Sequence, residues 1–220
     1  MVKKIQDLIE KVIPIKVLLA VGISVLWNCV VYYGVRLLYG NRTFYDMTSA
    51  FDRATPVLPW TVFIYYAFFP FLVLNVLVLA KKEPKNIYGY AVADVIGKTV
   101  CMIIFLIIPT TNIRPELLGN DFASATLRFL YRQDAANNLF PSIHCLDSWL
   151  SFLMVYKAKT VSKKYKVFVG IFAIMICIST LTTKQHVLPD LISGILIAHI
   201  TYYIGYNMVT KYRAKHGIIE

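Results

Sequence analysis

The chain has 220 residues, of which 58% are hydrophobic, and its mean hydropathy is +0.60. A soluble domain carries about 45–50% apolar residues, so a soluble enzyme, a disordered tail protein and a secreted disulfide scaffold are excluded. The length suits one membrane domain over residues 1–220. The net charge of +11 comes from 23 Lys and Arg against 12 Asp and Glu. These charges flank apolar runs and form no single basic face, which points to anionic lipid as the partner and away from nucleic acid.

In chain order, residues 3–13 come first. Ile5, Leu8, Ile9, Val12 and Ile13 follow helical spacing, Lys3, Lys4, Asp7 and Glu10 take the other face, and Pro14 closes the pattern. This predicts a short helix lying in the interface, the alternative being a solvated extension of the first span. A transmembrane helix needs about 20 apolar residues. Six stretches are predicted to cross: Ile15–Tyr39, Leu58–Ala80, Tyr88–Pro109, Pro141–Tyr156, Lys166–Thr183 and Leu188–Met208. The fourth is the shortest. The first is too long for a signal-peptide core and ends in Arg36 and bulky residues, so it reads as a retained span. The expected fold class is all-α: an integral membrane bundle of six helices, with the interfacial N-terminal helix and a long outward loop bearing a helix. Irregular backbone facing lipid is not tolerated, so helices are the element to expect.

The connections carry the polar residues. Fifteen Lys and Arg fall in the N-terminal tail, the second-to-third and fourth-to-fifth connections and the C-terminal tail, against seven on the other side, while Lys98 lies inside a span. The positive-inside rule then places both termini in the cytoplasm and three connections outside. The four cysteines, Cys29, Cys101, Cys145 and Cys177, sit in apolar runs without Cys-x-x-Cys spacing and read as small buried hydrophobes.

The long outward connection, about residues 110–140, is poor in Gly and Ser. Connections of this length are functional or disordered, and its apolar content argues against disorder. A helix is predicted from Asp121 to Asp134, capped by Asn120 or Asp121. Arg128 and Arg132 then share one face, aimed at an anionic headgroup or snorkelling to the interface.

Two histidines lie at outward ends of spans. In Phe140-Pro141-Ser142-Ile143-His144, the proline marks a helix start, and Ser142 and His144 occupy the first turn, where free amides and the helix dipole favour an anion. The bland alternative is an ordinary start with a capping serine. In Lys184-Gln185-His186-Val187-Leu188-Pro189-Asp190, a carboxylate four residues on can fix the tautomer of His186 and strengthen its other nitrogen as a nucleophile. The alternative is a capping aspartate beside an unrelated histidine. His199, mid-span, is read as a packing residue and His216 as inert. Topology gathers Arg114, Ser142, His144, Lys184 and His186 at one membrane face, a set suited to phosphoryl transfer: cations and amides for phosphate oxygens, a nucleophile for phosphorus, a proton for the leaving alkoxide.

These residues resemble the type 2 phosphatidic acid phosphatase superfamily, marked by the blocks Lys-x6-Arg-Pro, Pro-Ser-Gly-His and Ser-Arg-x5-His-x3-Asp. Arg114-Pro115 matches the end of the first block. Pro141-Ser142-Ile143-His144 matches the second with Ile for Gly. His186-x3-Asp190 matches the core of the third, with Ser179 in place of its serine. The resemblance implies that His186 is the nucleophile, Asp190 its orienter and His144 the acid, with Ser142 and Arg114 holding phosphate and with no metal or cofactor. The first-block lysine falls at Ile107 and the third-block arginine at Thr180, so Lys184, Arg128 and Arg132 are the candidates to replace those cations.

The resemblance further implies hydrolysis of a phosphomonoester or diphosphate on a membrane lipid, of the phosphatidate, phosphatidylglycerophosphate or undecaprenyl diphosphate type. It would proceed through a phosphohistidine on the outer face, in the plasma membrane of a bacterium. A headgroup phosphotransferase shares the chemistry and differs only in the acceptor. A non-enzymatic transporter or scaffold is the remaining alternative, though paired Gly/Pro interruptions are absent from the sequence.

Overall fold

The computed structural model describes residues 14–38, 40 and 42–217. The helix expected over residues 3–13 lies outside the described residues. Helix α1 (Ile15–Leu37) runs through a π-helical turn at Val30–Gly34. The strand β1 (Tyr45–Asp46) and the single turn α2 (Ala50–Ala54) follow, then α3 (Pro59–Lys82), which opens as a 3-10 turn, and α4 (Pro84–Ile107). Beyond them come β2 (Thr110–Thr111), α5 (Phe122–Gln133), α6 (Ile143–Lys157), α7 (Lys163–Thr182) and α8 (Leu188–Lys215).

Among the described residues, five helices are long and apolar enough to cross a membrane: α1, α3, α4, α7 and α8. They mark an integral membrane protein. Their outer faces carry exposed Leu19, Leu26, Phe69, Val73, Ile171 and Ile178, the surface a bilayer would cover. Helix α6 falls short of the expected sixth span. Its 15 residues reach about 22 Å at 1.5 Å per residue, against a hydrocarbon thickness of about 30 Å. It is the innermost helix of the bundle: Leu146, Leu150, Met154 and Val155 are buried, and α7, α8, α4 and α3 all pack on it. Cys29 departs from the expectation of four buried cysteines, being exposed on α1 while Cys101, Cys145 and Cys177 are buried.

Local chemistry sets the helix ends. Asp121 caps α5, its carboxylate accepting from Ser124 N at 3.0 Å, and Ser142 and Ser162 cap α6 and α7 through Cys145 N and Tyr165 N. Pro84 and Pro189 occupy first-turn positions, where a missing N–H costs nothing. Two glycines let α8 approach its neighbours closely. A Cβ at Gly194 would meet the Ser142 carbonyl at 2.5 Å, and one at Gly205 would meet the backbone of Gly89 and Ala93 at 2.7 Å.

Polar contacts pin the interior. Lys98 on α4 reaches Asp94 at 2.8 Å and Asp147 on α6 at 3.1 Å, all three side chains nearly inaccessible. Asn75 donates to Ser151 and accepts from the Tyr165 hydroxyl, joining α3, α6 and α7. Trp27 Nε1 donates to Thr99, tying α1 to α4. On the exposed side of α8, His199 accepts from Trp149 Nε1 at 2.7 Å.

Removing one member of a buried ion cluster strands the others, at a cost of about 3–5 kcal/mol. Lys98→Met should therefore lower the unfolding midpoint in detergent sharply. The triple change Asp94→Asn, Lys98→Met, Asp147→Asn should recover most of that loss in the same thermal scan.

Candidate active site

The end of the bundle that carries both histidines is assembled by the connections. Tyr45 and Asp46 pair in parallel with Thr110 and Thr111, drawing the first connection onto the start of the long one. Three consecutive side chains then knit the loops. Thr110 Oγ1 accepts from Leu139 N and Phe140 N, Thr111 Oγ1 donates to the Ala136 carbonyl, and Asn112 Nδ2 donates to the Lys184 carbonyl. Asp134 receives Arg36 at 2.9 Å and also bonds the Tyr32 hydroxyl, fixing the end of α5 to the end of α1.

Helix α7 ends in a tight turn. The Thr180 carbonyl accepts from both Gln185 N and His186 N at 3.0 Å, and Lys184 takes the left-handed conformation with φ 53°, where glycine is usual. This turn delivers His186 beside the start of α8. Its Nδ1 lies 3.2 Å from Asp190 Oδ2 and 3.1 Å from the Leu139 carbonyl. Both partners are acceptors, so Nδ1 carries the proton and Nε2 presents its lone pair. Asp190 is fully buried and also accepts from Val187 N at 3.0 Å. Ser142 N donates to the Asp190 carbonyl at 3.0 Å, and Gly194 permits that approach.

His144, in the first turn of α6, faces His186 with ring centroids 5.9 Å apart. It is boxed by Tyr65 and Phe68 at 4.6 and 4.7 Å. Arg114 donates Nη2 to Gln185 Oε1 at 2.8 Å and Nη1 to the Asp134 carbonyl, and lies over the Tyr131 ring. A cavity of about 450 Å³ opens at His186, with Asp52, Arg53, Thr55, Asn112 and Lys184 among its lining residues.

The structure thus brings His186, Asp190, Ser142 and His144 together, with Arg114 bonded to the neighbour of His186. The other expected cations stand elsewhere. Arg128 donates to the carbonyls of Leu117 and Gly119, Arg132 is exposed, and neither lines the cavity. Lys184 does line it, with Nζ donating to the Asp52 and Thr55 carbonyls at 2.6 Å each. Sequence reasoning missed Asp52, Thr110, Asn112 and Gln185. Asp52 Oδ1 accepts from Leu188 N at 2.7 Å, while Oδ2 completes a capping box with Ser49. The pattern Ser-x-x-Asp was a readable signal for the cap, but not for the bond to Leu188, 136 residues away.

Among the described residues no three His, Cys, Asp or Glu side chains cluster in a way that would hold a metal. A family model described as the PAP2 superfamily matches residues 61–214. No curated protein and no solved structure matches the chain.

Burial alone would push the pKa of His186 down, but the hydrogen bond and charge of Asp190 outweigh it, and the net shift is upward from the ordinary 6.5. A raised folded-state pKa means the charged pair stabilises the fold at low pH and loses that contribution as pH rises through the folded-state value. Histidine NMR of the labelled protein should place the His186 midpoint above 6.5. In Asp190→Asn the opposing carboxylate charge is gone, burial prevails, and the midpoint should fall below that of the wild type.

Proposed function

Because the chain belongs to the PAP2 superfamily, whose members are generally membrane-helical phosphatases, we propose that it hydrolyses a phosphomonoester or diphosphate on a membrane lipid through a phosphohistidine. The observation that supports this reading is the His186–Asp190 pair, with Nδ1 doubly held and Nε2 free, 5.9 Å between ring centroids from a second histidine. His186 Nε2 attacks phosphorus and forms the P–N bond as the bond from phosphorus to the lipid oxygen breaks. His144 takes up a proton as the anionic phosphoryl group binds beside it, and passes that proton to the leaving oxygen. Water then attacks the phosphohistidine, giving a proton back to His144 as the P–N bond breaks and phosphate leaves. Asp190 holds the tautomer and steadies the charge that develops on the ring. Ser142 and the first-turn amides of α6, with Arg114 behind Gln185, supply positive potential for the phosphoryl oxygens.

The distribution of Lys and Arg supports placing this site on the outward face, with both termini in the cytoplasm. The fifteen-residue α6 is then a short sixth crossing, whose polar start opens to the outside.

The deciding experiment is purified protein against a panel of lipid phosphates and diphosphates, scored for released phosphate. His186→Ala should lose on the order of a thousandfold or more in kcat, and His144→Ala on the order of a hundredfold or more. Orthovanadate, which mimics pentavalent phosphorus, should inhibit, and a chelator should leave the rate unchanged. Undiminished phosphate release by His186→Ala would overturn the reading.

A further inference from the structure

The family pattern expects cations at two positions that lack them here. Ile107 ends α4 and is 70% exposed, and Thr180 is buried with its hydroxyl donating to the Cys177 carbonyl. Of the remaining cationic side chains, the cavity that reaches His186 is lined by two, Lys184 and Arg53. An ammonium has three donors, and Lys184 commits two of them to Asp52 and Thr55 carbonyls. A guanidinium has five, and Arg53 makes one described bond, from Nη1 to the Thr48 carbonyl at 3.0 Å.

Arg53 is also electrostatically free. The carboxylate beside it in sequence, Asp52, takes its donors from Leu188 N and Ser49 N, and no ion pair of Arg53 occurs among the described residues. The wall that carries Arg53 is fixed. Asp52 joins it to α8 through Leu188 N and to the α7–α8 turn through Lys184 Nζ. A planar fork with unfilled donors, on an anchored turn, facing the nucleophile's cavity, is suited to two oxygens of one phosphate.

We infer that Arg53 is the substrate-binding cation of this site, gripping the non-reacting oxygens of the phosphoryl group in place of the cations missing at Ile107 and Thr180. The inference rests on the proposed phosphatase reading and deepens it. Residue 53 precedes the matched segment 61–214, so this contact belongs to the part of the site outside the family match.

The test is equilibrium binding of orthovanadate to the purified full chain in detergent, read by calorimetry beside KM for a soluble short-chain phosphomonoester. Arg53→Ala should weaken vanadate binding about tenfold or more and raise KM. Arg53→Lys should fall between, and added guanidinium ion should restore part of the binding to Arg53→Ala, which a merely structural role would not allow. Arg42→Ala, which removes a charge from the same face, should bind as the wild type does. If Arg53→Ala fails to fold, Arg53→Gln, which keeps a donor for Thr48, replaces it. Vanadate bound equally by wild type and Arg53→Ala would overturn the role of Arg53 while leaving the phosphatase reading intact. A wild type that binds no vanadate and releases no phosphate would overturn both.

Discussion

Ser142 N donates to the Asp190 carbonyl at 3.0 Å, and this one bond holds the starts of two helices in register. It exists because residue 194 lacks a side chain, since any Cβ there would collide with the carbonyl of Ser142. From one helix start hangs His144, and beside the other sits His186. The spacing between the imidazoles is therefore set by backbone, which is stiffer than any pair of side chains. Acidic and basic groups placed on such a frame keep their distance when substrate arrives, and that pre-organisation is where a phosphoryl-transfer site gains most of its effect.

The frame in turn stands on an interior that a bilayer cannot solvate. Lys98 between Asp94 and Asp147, and Asn75 between Ser151 and Tyr165, give α3, α4, α6 and α7 fixed partners where apolar packing alone offers little preference among rotations. Lipid tails resemble leucine, so helix association in membranes relies on small residues and polar contacts. Gly205 against Gly89 and Ala93 supplies the first kind of contact, and the Lys98 cluster the second. Asp147 lies one helical turn from His144 on α6, so the same helix carries a structural charge and a site residue within three positions.

Much of this was legible in the sequence, and the pattern of what was not is physical. Long apolar runs gave five of the spans, four of them within a few residues and the last short by seven at Lys215, and a capping aspartate gave the helix over 122–133. The shorter α6 was readable as a helix from Pro141 and Ser142, but a run of its length does not distinguish an inner helix from a crossing. His144, His186, Asp190 and Ser142 could be grouped because topology alone sets their depth. The partners of Asp52, Thr110, Asn112 and Gln185 could not, since their bonds join segments from 29 to 136 residues apart. Lys184 shows the same limit. Its place beside His186 was evident, but the direction of its side chain depends on a left-handed turn and on carbonyls of a distant loop.

The grip on the His186 ring depends on the state of the long connection. The second acceptor on His186 Nδ1 is the Leu139 carbonyl, and Leu139 belongs to the far end of the long connection, which Thr110 fastens in place. Until that strap has docked, the imidazole has one anchor and can swivel about it. A chain caught midway through insertion, with its helices threaded but these straps loose, therefore holds an unaimed ring, and the site is complete only in the finished protein.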